Sequence, residues 1–70
     1  MTAAQFNALA QLLRVRDGPA REAACMVLVD GLPPSEAARL TGLSPAGVSN
    51  AVSRMRRGLV LAQLVTSDHA

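Results

Sequence analysis

Apolar residues recur along this chain at the three- and four-residue spacing of helices, not in the alternation of strands. Phe6, Leu9, Ala10 and Leu13 make the first stripe. It opens at Thr2, whose hydroxyl can accept a bond from the amide three residues on, while Gln5 can return one as in a capping box. The pattern predicts a first helix ending near Val15, broken by Asp17 and Gly18. Pro19 suits the first position of a second helix, with Ala20, Ala23, Met26 and Val27 inward and a stop at Asp30-Gly31. Leu32-Pro33-Pro34 leads rigidly into a short third helix, Ser35 to Thr41, with Glu36 at its positive end. Gly42-Leu43 turns the chain, Ser44 caps and Pro45 starts a fourth helix, and Val48, Ala51, Val52 and Met55 carry it past Arg57. Gly58 is a weak point in that helix. Leu59 to Val65 is apolar on all sides except Gln63, and Thr66 to Ala70 read as a frayed polar tail. The expected fold is all-α, a small bundle of four to five helices containing a helix-turn-helix. Its domain spans 1–58, followed by an apolar dimerisation segment and tail, 59–70.

Composition narrows what such a bundle can do. Seventy residues hold one domain with a thin core, too small for a two-domain enzyme or an α/β cofactor crevice. Half the residues are hydrophobic, but only Phe6 is aromatic, so the core is aliphatic and base stacking on single strands is disfavoured. One cysteine makes no internal disulfide. Cys25 and His69 fall short of the about four ligands of a structural zinc site, so no metal or cofactor is expected. Cys25 reads as a small helical hydrophobe. No nucleophile, base and orienting group come together, so an enzyme is not expected. No apolar run reaches the roughly 20 residues of a membrane span and no signal peptide is evident, which points to a cytoplasmic protein.

All seven basic residues are arginine, and Arg54, Arg56 and Arg57 fall within four positions. They fit either a solvated helix face or a phosphate-contacting patch, since guanidinium groups bind phosphate bidentately. Pro34 to Ser53, PSEAARLTGLSPAGVSNAVS, favours the patch, because its spacing is that of a helix-turn-helix. Ala38 is small where two helices cross, Gly42 sits at the tight turn with an expected positive φ, and Leu43 plugs the turn. Val48, Ala51 and Val52 face inward. That leaves Ser44, Pro45, Ala46, Ser49, Asn50 and Ser53 outward, the positions near the major groove in a DNA-binding helix-turn-helix.

The run from Ala24 to Met55, with MVLVDG followed by AARLTGLSPAGVSNAVSRM, resembles the TrfB/KorA family of plasmid transcriptional repressors, and Thr2 to Phe6 is similar to that family's start. VLVDG at Val27 to Gly31 is the more distinctive part. The resemblance implies a small dimeric repressor on a palindromic operator, with Ser49 and Asn50 in the groove and Arg54 on the nearby backbone. Pro45 stands where the family tends to place a basic residue. The family also appends a C-terminal dimerisation region, so a dimer of this chain is expected to form differently, through Leu59, Val60, Leu61, Leu64 and Val65.

Individual roles follow. Asn50 is the leading base reader, since an amide can pair with the N6/N7 edge of adenine. Ser49 and Ser53 suit bases or phosphates, and Ala46 and Pro45 lie against the groove. Arg54, Arg56 and Arg57 are all phosphate candidates; Arg54 and Arg57, three apart, share a face and make the better pair, with Arg56 on another side of the helix. Ser44 at the helix end is a further phosphate candidate, as are Arg39 in the motif's first helix and Arg14, Arg16 and Arg21 near the first turn, although for these four arginines a purely solvated role is favoured. The function expected is a sequence-specific double-stranded DNA-binding regulator, a repressor of plasmid, phage or mobile-element genes, reading the groove with helix 44–57. The alternative is an adaptor binding RNA polymerase, because GLSPAGVSNAVSRMRRGL also resembles the helix-turn-helix of sigma-factor region 4.

Overall fold

The computed structural model describes residues 1–67, which form four helices: α1 (Ala3–Leu12), α2 (Pro19–Leu28), α3 (Pro34–Thr41) and α4 (Pro45–Ser67). The chain is all-helical, without strands among the described residues. Side-chain caps and first-position prolines account for the helix starts. Thr2 Oγ1 accepts from the Gln5 amide at 3.1 Å and Gln5 Oε1 accepts from the Thr2 amide at 2.9 Å, a complete capping box. Pro19, Pro34 and Pro45 each occupy a first helical position, where the missing N–H leaves no bond unmade. α3 therefore begins at Pro34, one residue earlier than expected.

The helix ends depart more from expectation. α1 stops at Leu12, before Val15 and well before Asp17-Gly18. Arg14 adopts a left-handed conformation (φ +56°), its N–H donates to the Gln11 carbonyl (3.1 Å), and the Val15 N–H donates to the Ala10 carbonyl (2.9 Å). These two bonds make a Schellman closure with arginine where glycine is usual. The closure turns Val15 back toward the core instead of extending the helix. α2 ends at Leu28, with Gly31 left-handed at φ +75° as expected.

Ten side chains form the buried core: Phe6, Leu9 and Ala10 from α1, Ala23 and Ala24 from α2, Ala37 and Ala38 from α3, and Val48, Val52 and Met55 from α4. Half of them are alanine, which lets helix axes approach at the short end of the usual 8–10 Å range. α2 packs against all three other helices. That explains a correction on its inner face: Ala20 is exposed and Ala24 is buried in its place, because a helix covered on several sides buries adjacent positions.

Gly58 is not a weak point. α4 runs unbroken through it, across the expected boundary at 58/59, for 23 residues or about 34 Å. Gly58 is buried, and a Cβ there would lie 2.4 Å from Leu13 Cδ1. Its lack of a side chain is what lets the end of α1 close on α4. Helix α4 also includes positions 66 and 67, placed by the sequence in a frayed tail; residues 68–70, His69 among them, lie outside the described residues.

Candidate nucleic-acid interface

α3, the turn at Gly42 and the first part of α4 form the helix-turn-helix. Gly42 caps α3 at φ +78°, where an L side chain would be strained, and its N–H donates to the Ala38 carbonyl at 2.9 Å. Thr41 Oγ1 donates to the Ala37 carbonyl at 2.7 Å, which satisfies a second carbonyl at the helix end. Leu43 packs half-buried against the core. Ser44 Oγ accepts from the Gly47 amide at 3.0 Å and so caps α4, which leaves its O–H proton free to donate. Beyond the turn, Val48 and Val52 are buried and Ala51 half-buried, which sets the roll of α4 about its axis.

That roll leaves Ser44, Pro45, Ala46, Ser49, Asn50 and Ser53 exposed, the outward set the sequence predicts. Asn50, Ser53, Arg54 and Arg57 line one open hollow of about 460 Å³ on the outer face of α4. Arg56 is exposed but does not line it, because successive helical residues turn through about 100°. The structure thus brings Asn50, the residue predicted from the sequence to read a base, together with two of the three clustered arginines.

The other cations divide into two groups. Arg39 is bonded to Glu36 one turn back on α3. This hydrogen bond, assisted by the pair's opposite charges, holds the Glu36 carboxyl below its ordinary range and the Arg39 guanidinium above its own. Arg39 is therefore partly neutralised as a phosphate candidate. Arg21 is not simply solvated: it donates to the Val15 carbonyl and to Asn7 Oδ1, both at 3.4 Å, and lies 3.5 Å from Asp17. It is a tie between α2, the α1–α2 loop and α1, a role that sequence spacing does not reveal. The guanidinium groups of Arg14, Arg16, Arg54, Arg56 and Arg57 have no ion-pair or hydrogen-bond partner among the described residues.

Away from this face the chain carries no group of His, Cys, Asp and Glu able to hold a metal among the described residues. Burial, reinforced by Asp30 and opposed by Arg21, pushes the Cys25 thiol up, so it is further from the reactive thiolate than an ordinary cysteine. No helix of the described residues is long and apolar enough to cross a membrane.

Of the five apolar residues predicted to pair two chains, Leu59 packs half-buried on its own core. The other four are open: Val60 is 54%, Leu61 56%, Leu64 60% and Val65 75% exposed. Beside them an apolar groove of about 550 Å³ runs between α1 and the end of α4, with Met1, Ala8, Leu12 and Ala62 among its lining. The apolar spacing of the C-terminal segment alone does not reveal the part played by α1; the signal for it in the sequence is the absence of any charged side chain from α1.

Comparison with protein-family models, with curated proteins and with solved structures gives no match in any of the three.

Proposed function

We propose that this chain is a cytoplasmic, sequence-specific regulator of transcription that binds double-stranded DNA, a repressor of the TrfB/KorA kind acting on plasmid, phage or mobile-element genes. The observation that carries this reading is the outer face of α4. A small polar surface, Ser49, Asn50 and Ser53, stands beside unpaired Arg54 and Arg57, on a helix whose angle is held by the Gly42 turn and the buried valines. In that arrangement Asn50 reads a base edge in the major groove, and the arginines position the helix on phosphates. Small residues at Ala46 and Ser49 let the helix backbone approach the bases closely. The helix-turn-helix supplies the docking geometry: α4 enters the groove and α3 lies across it.

The operator reader works as a homodimer. Its interface is the exposed aliphatic end of α4, with Val60, Leu61, Leu64 and Val65, extended by the groove along α1. A second copy fits this surface because neither α1 nor α4 beyond Arg57 carries a charged side chain, so two copies meet without burying or opposing charge. About 16 Å of helix separates Asn50 from Leu61. A twofold axis at Leu61 with the two α4 helices antiparallel then spaces the two Asn50 side chains by up to about 33 Å, close to the roughly 34 Å between half-sites one turn apart.

Selection of bound duplexes from a random pool tests the reading. Enrichment of a palindrome with half-site centres about one helical turn apart is expected. No enriched sequence, together with co-purification of RNA polymerase, would overturn it in favour of the polymerase-binding adaptor.

A further inference from the structure

The loop between α1 and α2 carries two of the unpaired cations, Arg14 and Arg16, both exposed. This loop is held at several points. The Schellman closure fixes Arg14 at φ +56°, a left-handed conformation that is strained for a non-glycine residue. Val15, between the two arginines, packs inward against the core, and Arg21 holds its carbonyl from α2. Leu13 lies against Gly58. The loop is thereby fastened alongside α4: Val15 and Arg54 line one small cleft with Ala51 and Met55. Arg54 stands one turn beyond Asn50, about 6 Å along the helix. The two loop arginines thus flank a residue that shares a cleft with a member of the reading face. The nearest acid in sequence, Asp17, lies against Arg21 and pairs with neither loop arginine.

We propose that the α1–α2 loop is a second phosphate-binding point, in which Arg14 and Arg16 grip the DNA backbone beside the groove that α4 enters, next to the phosphate held by Arg54. This inference rests on the DNA-binding reading above and adds to it a contact outside the helix-turn-helix. The left-handed arginine fits this role. Glycine would close α1 with less strain but would leave no cation there. The fastening through Val15 and Arg21 means that little loop order has to be gained on binding.

The test is the salt dependence of binding to a random-sequence duplex, measured by fluorescence anisotropy on the full chain. Each phosphate contact contributes a log–log slope of about −0.9. The Arg14→Ala/Arg16→Ala double variant is expected to flatten the slope by about 2, so that the affinity lost between about 50 and 200 mM salt shrinks roughly tenfold. Arg14→Gly/Arg16→Ala, which keeps the left-handed turn, should flatten it equally with helicity and melting temperature maintained. Arg14→Lys/Arg16→Lys should retain most of the slope. The inference is overturned if the wild type binds duplex, Arg54→Ala flattens the slope and the loop variants do not. If the wild type holds no duplex at any salt concentration, the DNA-binding reading falls and the loop site with it.

Discussion

The molecule has two ends that differ in kind. Every charged side chain except Asp68 lies between Arg14 and Arg57, that is, on the α1–α2 loop, α2, the segments around α3 and the first part of α4. The other end, α1 and α4 beyond Arg57, has no charged side chain among the described residues and exposes Leu12, Val60, Leu61, Leu64 and Val65. One helix, α4, joins the two. Its outer face is polar and cationic over its first half and aliphatic over its second. A net charge of +2 is too slight to mark a nucleic-acid protein by amount, but its confinement to one end makes a local field of the kind that attracts phosphate. The neutral end suits a neutral partner, and a copy of itself is the simplest one.

The contrast can be broken most severely at the uncharged end. Phe6, the only Phe, Tyr or Trp in the sequence, is buried at 1% exposure, so Phe6→Ala should destabilise the fold by about 3–5 kcal/mol, a large share of the about 5–15 kcal/mol of a typical domain. Thermal denaturation followed by circular dichroism would register this, and a melting temperature within a degree or two of wild type would contradict the assigned core.

A second change separates pairing from folding. Leu61→Glu/Leu64→Glu places like charges on the proposed dimer surface and should weaken self-association by about tenfold or more in sedimentation equilibrium, while the monomer's helicity is kept. A wild-type chain that sediments as a single copy at every concentration would remove the dimer altogether.

At the charged end, Asn50→Ala should lose about 1–3 kcal/mol of discrimination at one base pair per half-site. Arg54→Ala should instead weaken all sequences alike and flatten the salt slope by about 1. Competition binding against single-base variants distinguishes the two, and identical behaviour of both variants would cancel the division into reading and positioning.

The smallest effect belongs to Glu36 and Arg39. The folded state depresses the Glu36 carboxyl, so its contribution to stability is present above the ordinary carboxylate pKa of about 4.3 and is lost as pH falls through the lower folded value. Both groups are at the surface, so the contribution is small. Wild type and Glu36→Gln should differ slightly in melting temperature at neutral pH and converge in strong acid. Because the substitution frees Arg39, a steeper salt slope in this variant would identify Arg39 as a latent phosphate contact.

Much of this was legible in local sequence because its causes are local. A capping box needs only Thr2 and Gln5, and the left-handed turn needs only Gly42. Arg54 and Arg57 share a hollow because they lie three apart on one helix. The misreadings share a different cause. Arg14 closes a helix without the expected glycine, Arg21 serves as a tie rather than a solvated charge, and Ala24 replaces Ala20 inside. In each case the deciding group comes from another part of the chain: the Ala10 carbonyl and core for the turn at Arg14 and Val15, Asn7 and Val15 for Arg21, and the helices around α2 for its alanines. Gly58 is the sharpest instance. Propensity marks it as a breaker, yet contact with Leu13 makes it the place where α1 meets α4.

The sequence by itself determined that this chain is helical, where α1, α2 and α4 begin, and which side chains α4 turns outward, because capping chemistry and the 3.6-residue period act within a few positions. Only the tertiary structure decided which arginines remain unpaired, that the α1–α2 loop is fastened beside Arg54, that α4 continues past Gly58, and that Leu59 packs on the core while Val60, Leu61, Leu64 and Val65 stay exposed. Those outcomes depend on close packing between segments far apart in the chain, where a missing side chain or a distant carbonyl outweighs local preference.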